Sequence, residues 1–209
     1  MGYRVDVAGE QEKRARSSSG RQSLSAGDWV DIALVALGEG GLAAVAIEPL
    51  AKRLGATKGS FYWHFANREA LIDAALARWE RLNTERVIVA VEASSSEPVA
   101  ENRLRRLFKE VPAAGGGDDV EVALLAEARH PQVSAALRRV AERRISYVTQ
   151  VFVDLGFSHA EAQRRGLLSY TFHTGQISLL HADPDALPRT RQDRRHYLDT
   201  LIHTLLRAD

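Results

Sequence analysis

Hydrophobic positions recur along this chain at helical intervals, separated by clusters of Gly, Pro, Ser and Asp. A helix is predicted to start at Ser25, and from Trp29 to Leu37 every position but Asp31 is apolar, so it should be buried on most sides. Ser25 with Asp28 forms a capping-box pattern, and Leu24 with Trp29 a hydrophobic staple. Gly38-Glu-Gly-Gly41 is expected to end this helix. Ile47, Leu50, Ala51 and Leu54 then follow the i, i+3, i+4, i+7 rule on one face. Gly55 suits the left-handed backbone of a helix C-cap, and Thr57 can cap a further short helix. In that helix Phe61 and Phe65 share one side.

Further on, Asn67 caps a long helix with Glu69 near its N-terminal dipole. Its stripe is Leu71, Ile72, Ala75, Leu76, Trp79 and Leu82, running to about Glu92 before the Ser94-Ser-Ser-Glu-Pro98 break. A helix from about Glu97 to Val111 points Leu104, Leu107, Phe108 and Val111 inward, and Pro112 to Gly117 reads as a flexible connection. Helices over about Asp118 to Arg129, Pro131 to Gly156, Ser158 to His181 and Thr190 to Arg207 complete the chain. Ser158/Glu161 form a second capping box and Thr190/Asp193 a last cap. No alternating segment bounded by turns argues for a strand. The expected fold is all-α, with about nine helices and no internal repeat.

The segment from Ile47 to Phe65 carries the chemistry. Two short helices joined by a tight turn form a helix-turn-helix, a unit that presents its second helix to the DNA major groove. Phe61 and Phe65 suffice to anchor that second helix, and one and a half turns cannot bury five large side chains. Tyr62, Trp63 and His64 are therefore left for its outer surface, with Lys58, Gly59 and Ser60. Lys58 suits a phosphate or a guanine, and Ser60 a base or a phosphate. Thr57 would bring its hydroxyl and backbone N–H near a phosphate. Gly59 either allows close approach to the bases or merely punctuates a turn.

The run Thr57-Lys-Gly-Ser-Phe-Tyr-Trp-His-Phe65, followed by Asn67-Arg-Glu-Ala-Leu71, resembles the recognition helix and following helix of the tetracycline-repressor (TetR) family. The specific resemblance spans roughly residues 24 to 80; beyond it only size and helical character match. It implies Tyr62 and His64 on phosphates, Trp63 against a thymine methyl or sugar, and Arg68 on a phosphate. Two positions depart from the family pattern. Ala46 stands where a Ser or Thr often caps, and Glu48 places a carboxylate near DNA unless it is paired, for example with Lys52. The resemblance further implies a C-terminal regulatory half with Trp79, Phe108, Glu127, Tyr147, Tyr170 and His173 on helices around a cavity. Glu127 and His173 would be its polar groups. An ordinary aromatic-rich core accounts for the same residues.

The implied organisation is a flexible arm over 1–23, a helix-turn-helix domain over 24–70 and a ligand-binding and dimerisation domain over 71–209. Lys13, Arg14, Arg16 and Arg21 make this segment either a disordered tail or a basic arm that adds phosphate or minor-groove contacts. Leu167, Leu168, Phe172, Ile177, Leu201, Ile202, Leu205 and Leu206 would pair across a two-fold axis in a homodimer.

Composition narrows the alternatives. The chain has 209 residues, 45% of them hydrophobic, enough for a substantial core. No apolar run spans a bilayer and no secretory signal opens the sequence, so a cytoplasmic location is expected. Absence of cysteine excludes disulfides, thiolate metal sites and cysteine nucleophiles. Net charge is only +1, so any basic DNA-binding surface must be local. The histidine pairs His173/His181 and His196/His203 lack the i, i+4 spacing of a helical metal site. No phosphate-binding glycine loop or nucleophile elbow is present. Neither enzymatic activity nor a metal or cofactor is expected. The expected function is a dimeric repressor that binds a pseudo-palindromic double-stranded DNA operator and is released by a small-molecule effector. A ligand-independent activator or architectural DNA-binding protein is the alternative.

Overall fold

The computed structural model describes residues 24–93, 100–113, 118–188 and 190–207. Among these residues the chain is all-α, with nine helices and no strand. The basic arm and the Ser94–Pro98 break lie outside the described residues.

Helix α1 (Ala26–Ala44) starts at the anticipated capping box: Ser25 Oγ accepts from Asp28 N at 3.3 Å, while Asp28 Oδ2 accepts from Ser25 N at 2.7 Å. The bond from Ser25 N, and after it one from Ser25 Oγ to Asp28 Oδ2 at 2.7 Å, hold the Asp28 carboxyl below the usual range. Gly38–Gly41 kinks the helix rather than ending it. Gly40 and Gly41 leave helical conformation, Gly41 at φ 63°, and the helix resumes through Ala44. Helix α2 (Ile47–Leu54) buries Leu50 and Ala51 and closes on Gly55 at φ 62°, with Ala56 N donating to Ala51 O at 2.8 Å. Ala46 caps α2 without a side-chain bond. Helix α3 (Lys58–Tyr62) is capped by Thr57.

Helix α4 comprises Arg68–Glu80, one π-helical turn Arg81–Glu85, and Arg86–Ala93. The extra residue of the π turn explains a miss in the apolar stripe. Its buried positions run Ala75, Trp79, Thr84, Ile88 and Val91, and the step from 79 to 84 puts Thr84, not Leu82, inside.

Helix α5 (Ala100–Ala113) continues through Pro112, which the sequence places in a flexible connection. Proline removes an N–H bond to the i−4 carbonyl, but Pro112 stands one residue before the helix end, so only the last turn bears that loss. Helix α6 (Asp118–Ala126) stops before the expected Arg129, because the chain turns through Glu127–His130 to reach Pro131. Helices α7 (Pro131–Asp154), α8 (His159–Ala182) and α9 (Arg191–Leu206) follow the sequence reading closely. Ser158 caps α8, but Glu161 pairs with Arg164 and Arg165 instead of completing a box.

Two apolar clusters hold these helices. The first joins Trp29, Leu37, Leu50, Phe61, Leu71, Ile72 and Trp79 to Val120, Leu124, Val133 and Val140 of α6 and α7. The helix-turn-helix is thus packed on the C-terminal helices through a continuous core. The second contains Leu104, Phe108, Val151, Phe152, Ile202 and Leu205.

Candidate nucleic-acid interface

Phe61 is fully buried and Phe65 nearly so; their rings stack at 5.6 Å, and Trp29 meets Phe61 edge-on at 5.3 Å. This aromatic anchor fixes which way α3 faces. Tyr62 is 55% exposed and Trp63 85%, with Thr57, Lys58, Gly59 and His64 exposed beside them. A tryptophan that open forfeits the transfer free energy of a large ring, about 1.5–3 kcal/mol for such a side chain, so the intramolecular fold gives no reason for it.

Local bonds shape this surface. Ser60 N donates to Thr57 Oγ1 at 3.1 Å, and Ser60 Oγ to Thr57 O at 3.0 Å. Glu48 pairs with Lys58 rather than with Lys52, which lowers the Glu48 carboxyl and raises the Lys58 amine from their usual values. Lys58 is therefore already partnered on this surface. Arg53 forms a two-pronged pair with Glu39, both bonds at 2.7 Å. His64 Nε2–H donates to the Leu24 carbonyl at 2.8 Å, tying the end of α3 to the start of the described chain. Nothing in the protein requires a glycine at Gly59: its φ is not left-handed, and the nearest atom to an added Cβ is Thr57 Oγ1 at 3.7 Å.

Arg68 is turned inward. Its Nε donates to Val45 O at 2.6 Å and its Nη2 to Leu42 O. These bonds tie the start of α4 to the α1–α2 connection.

Of the six residues that the family resemblance places around a cavity, three come together. Trp79 is buried under the Arg144 guanidinium, 6.0 Å from the ring centroid. His173 Nε2 accepts from Arg144 Nη1 at 3.2 Å, and Tyr170 lies in the field of the same arginine. Their centre is an ion pair that the sequence reading missed: Arg144 grips Glu121 with bonds of 2.8–3.1 Å, with 13% and 5% of the two side chains exposed. Arg144 also donates to Thr84 Oγ1 at 3.2 Å and Asn83 O at 3.3 Å, so α4, α6, α7 and α8 meet there. The signal was present: Arg144 occupies the i+4 position between buried Val140 and Val148. Burial pushes the His173 imidazole down to about 4, with Glu121 opposing and Arg144 assisting.

The other three lie apart. Phe108 meets Phe172 edge-on in the second cluster. Tyr147 donates to Glu92 at 2.6 Å, and burial raises its phenol. Glu127 departs from the expected cavity role; its carboxylate accepts the Leu42 backbone N–H at 2.9 Å. The turn after α6 carries it away from the Arg144 centre and onto α1.

The expected dimer residues also divide. Ile177, Ile202 and Leu205 are buried within the chain, and Phe172, Leu201 and Leu206 partly so. Leu167 and Leu168 stay 52% and 59% exposed, and Leu179 45%.

A buried aromatic anchor under an exposed Tyr-Trp-His surface, on the second helix of a helix-turn-helix, is the arrangement of a helix that enters the DNA major groove. Residues 30–75 match the family bacterial regulatory proteins, tetR family. The chain's fold is shared with a transcriptional regulator from Rhodococcus sp. Rha1 (20% identity, 88% of this chain and 96% of that one, TM-score 0.70). It is shared also with a TetR-family transcriptional regulator from Streptomyces coelicolor (18% identity, 97% and 96%, TM-score 0.69). Reduced NemR of E. coli is similar as well (15% identity, 86% and 94%, TM-score 0.67). No curated protein matches the sequence. No enzymatic family is indicated, and among the described residues no helix is long and apolar enough to cross a membrane.

Proposed function

We propose that this protein is a cytoplasmic repressor that binds a pseudo-palindromic operator as a homodimer and is released by a small-molecule effector. The observation that carries the DNA-reading part is Trp63, 85% exposed on a helix whose other face is locked by Phe61 and Phe65. Trp63 and Tyr62 face the groove, with Thr57, Lys58, Gly59, Ser60 and His64 around them. Arg68 is assigned to orienting the motif through its bonds to Leu42 and Val45.

Dimerisation is assigned to the open face of α8. Leu168, Thr171, Gly175 and Leu179 follow one another at three- and four-residue steps and are all exposed. A two-fold axis through this face would place two recognition helices about 34–36 Å apart, or a multiple of that. The effector is assigned to the C-terminal helices near Trp79, Tyr170 and His173; by binding one spacing of the recognition helices better than the other, it shifts the dimer off DNA.

Selection of duplexes from a random-sequence library tests the reading. An enriched inverted repeat, bound with a steep inverse dependence on salt despite the net charge of +1, is the expected result. No enrichment, or a site without two-fold symmetry, contradicts it.

A further inference from the structure

We propose that Glu127 is a positioning residue for DNA binding: from the turn after α6 it holds the Leu42 peptide N–H and fixes the helix-turn-helix against the C-terminal helices. The inference rests on the DNA-binding reading and adds to it the part that sets the motif's orientation.

The geometry begins at the α1 kink. With Gly40 and Gly41 out of helical conformation, Leu42 opens a new helical segment, whose first N–H groups lack intrahelical acceptors. Glu127 Oε1 supplies the acceptor for Leu42 at 2.9 Å, across 85 residues of sequence. Gly41 makes room for it. A Cβ there would stand 2.1 Å from Glu127 Oε1, and φ 63° disfavours any side chain. The glycine and the carboxylate are therefore one device. The carbonyl of the same residue is also held: Leu42 O accepts from Arg68 Nη2 and Val45 N. Leu42 is thus clasped between the turn after α6 and the start of α4, five positions before α2 begins at Ile47.

Helix α6 is suited to carry a displacement to this point. It approaches α1 closely, since a Cβ at Gly38 would already touch Val120 at 3.4 Å, and Leu124 is buried in the core shared with α1. On α6, Glu121 is bonded to Arg144, which reaches α4 and α8. Any shift of Glu121 relative to Arg144 moves the segment that ends in Glu127. Without the Glu127 bond the apolar packing of α1, Leu42 and Val45 remains, but the segment leading into α2 loses its polar tie to the turn after α6.

Three proteins decide the matter: wild type, Glu127→Ala, and Glu127→Gln, whose amide oxygen still accepts from Leu42. Affinity is measured on a duplex selected by the wild-type protein, and folding by urea denaturation. Because the chain has no cysteine, a Lys52→Cys/Arg138→Cys pair also takes spin labels at those two positions alone, one on α2 and one on α7. We expect Glu127→Ala to bind about tenfold more weakly, the size of a modest coupling between sites, at unchanged folded fraction. Its label-to-label distance distribution should broaden, and Glu127→Gln should restore both readouts. Gly41→Ala should reproduce the Glu127→Ala behaviour with the carboxylate still present; if it does not fold, the Glu127 pair alone decides. Wild-type affinity and an unchanged distance distribution in Glu127→Ala would overturn the proposal. So would an affinity loss that merely follows the unfolded fraction. If wild type selects no duplex at all, the DNA-binding reading fails instead, and the distance distribution still tests the latch.

Discussion

Lowering the pH from 7 towards 4 should destabilise this protein through His173, and replacing that residue by glutamine should remove the effect. The His173 side chain is only 15% exposed, and its Nε2 accepts a hydrogen bond from Arg144, so the ring is held neutral with its proton on Nδ1. Protonating Nε2 would break that bond and set a second positive charge beside the guanidinium, with Glu121 Oε1 at 3.9 Å giving partial compensation. Burial, the larger cause, and Arg144 together bring the group from 6.5 to about 4. Between those values the unfolded chain binds a proton that the folded chain does not. The stabilisation is therefore complete above about 6.5, declines as pH falls, and is gone below about 4. The displacement corresponds to roughly 3 kcal/mol. Glutamine keeps an oxygen to accept from Arg144 but does not titrate in this range. Urea denaturation of wild type and His173→Gln at several pH values between 7.5 and 4.5 gives the test in the difference between two curves. Carboxylates lowered by their own bonds, Asp28, Glu39, Glu48, Asp154 and Glu161, are common to both proteins and cancel. Wild type should lose most of that advantage by pH 4.5. Parallel curves over the whole range would refute the assignment of a buried, neutral His173.

The ion pair beneath it makes a second prediction. Arg144→Leu should destabilise by about 3–5 kcal/mol because it leaves Glu121 buried without a partner, whereas Arg144→Leu with Glu121→Leu should recover most of that loss; equal destabilisation by the single and double variants, read by denaturation, would show that Glu121 is solvated. Gly59→Ala should leave stability unchanged or raise it by about 0.5–1 kcal/mol, since neither φ nor packing demands glycine there. The same change should weaken binding to the selected duplex; undiminished binding would remove Gly59 from the interface. Leu168→Lys should shift sedimentation from dimer to monomer without lowering the melting temperature, as Leu168 is 59% exposed within one chain; a persisting dimer would move the interface off this face of α8.

Most of the fold was legible because local signals and tertiary packing agree. The caps at Ser25, Thr57, Asn67, Ser158 and Thr190 all form, and Gly55 closes α2 as its sequence context requires. The misses have physical causes. Gly38–Gly41 reads locally as a stop, yet α1 resumes because the kink is stabilised by Glu127, a partner 85 residues away that no local pattern reveals. The π turn at Arg81–Glu85 shifts the buried stripe by one residue, which a strict 3.6 period does not anticipate.

The site divides the same way. Phe61 and Phe65 announce the buried side of α3, so the exposure of Tyr62, Trp63 and His64 followed from counting what so short a helix can bury. Arg68 and Glu48 were harder, since each has a choice of partners that only the fold resolves: backbone carbonyls for one, Lys58 for the other. The same holds in the C-terminal half. Trp79 and His173 could be recognised as inward-facing, but their meeting around Arg144 depends on four helices converging. Only the charge of Arg144, set between buried Val140 and Val148 on one helical face, betrayed it in advance.

The central claim is that the exposed face of α3 reads DNA. Its most direct test is the affinity of wild type, Tyr62→Ala and Trp63→Ala for the duplex that wild type selects, with thermal melting measured on each. Tyr62 and Trp63 are 55% and 85% exposed, so both variants should melt like wild type. Each should lose about 1–3 kcal/mol of binding, the range for a specific contact. Unchanged affinity in both variants at full stability would contradict the account.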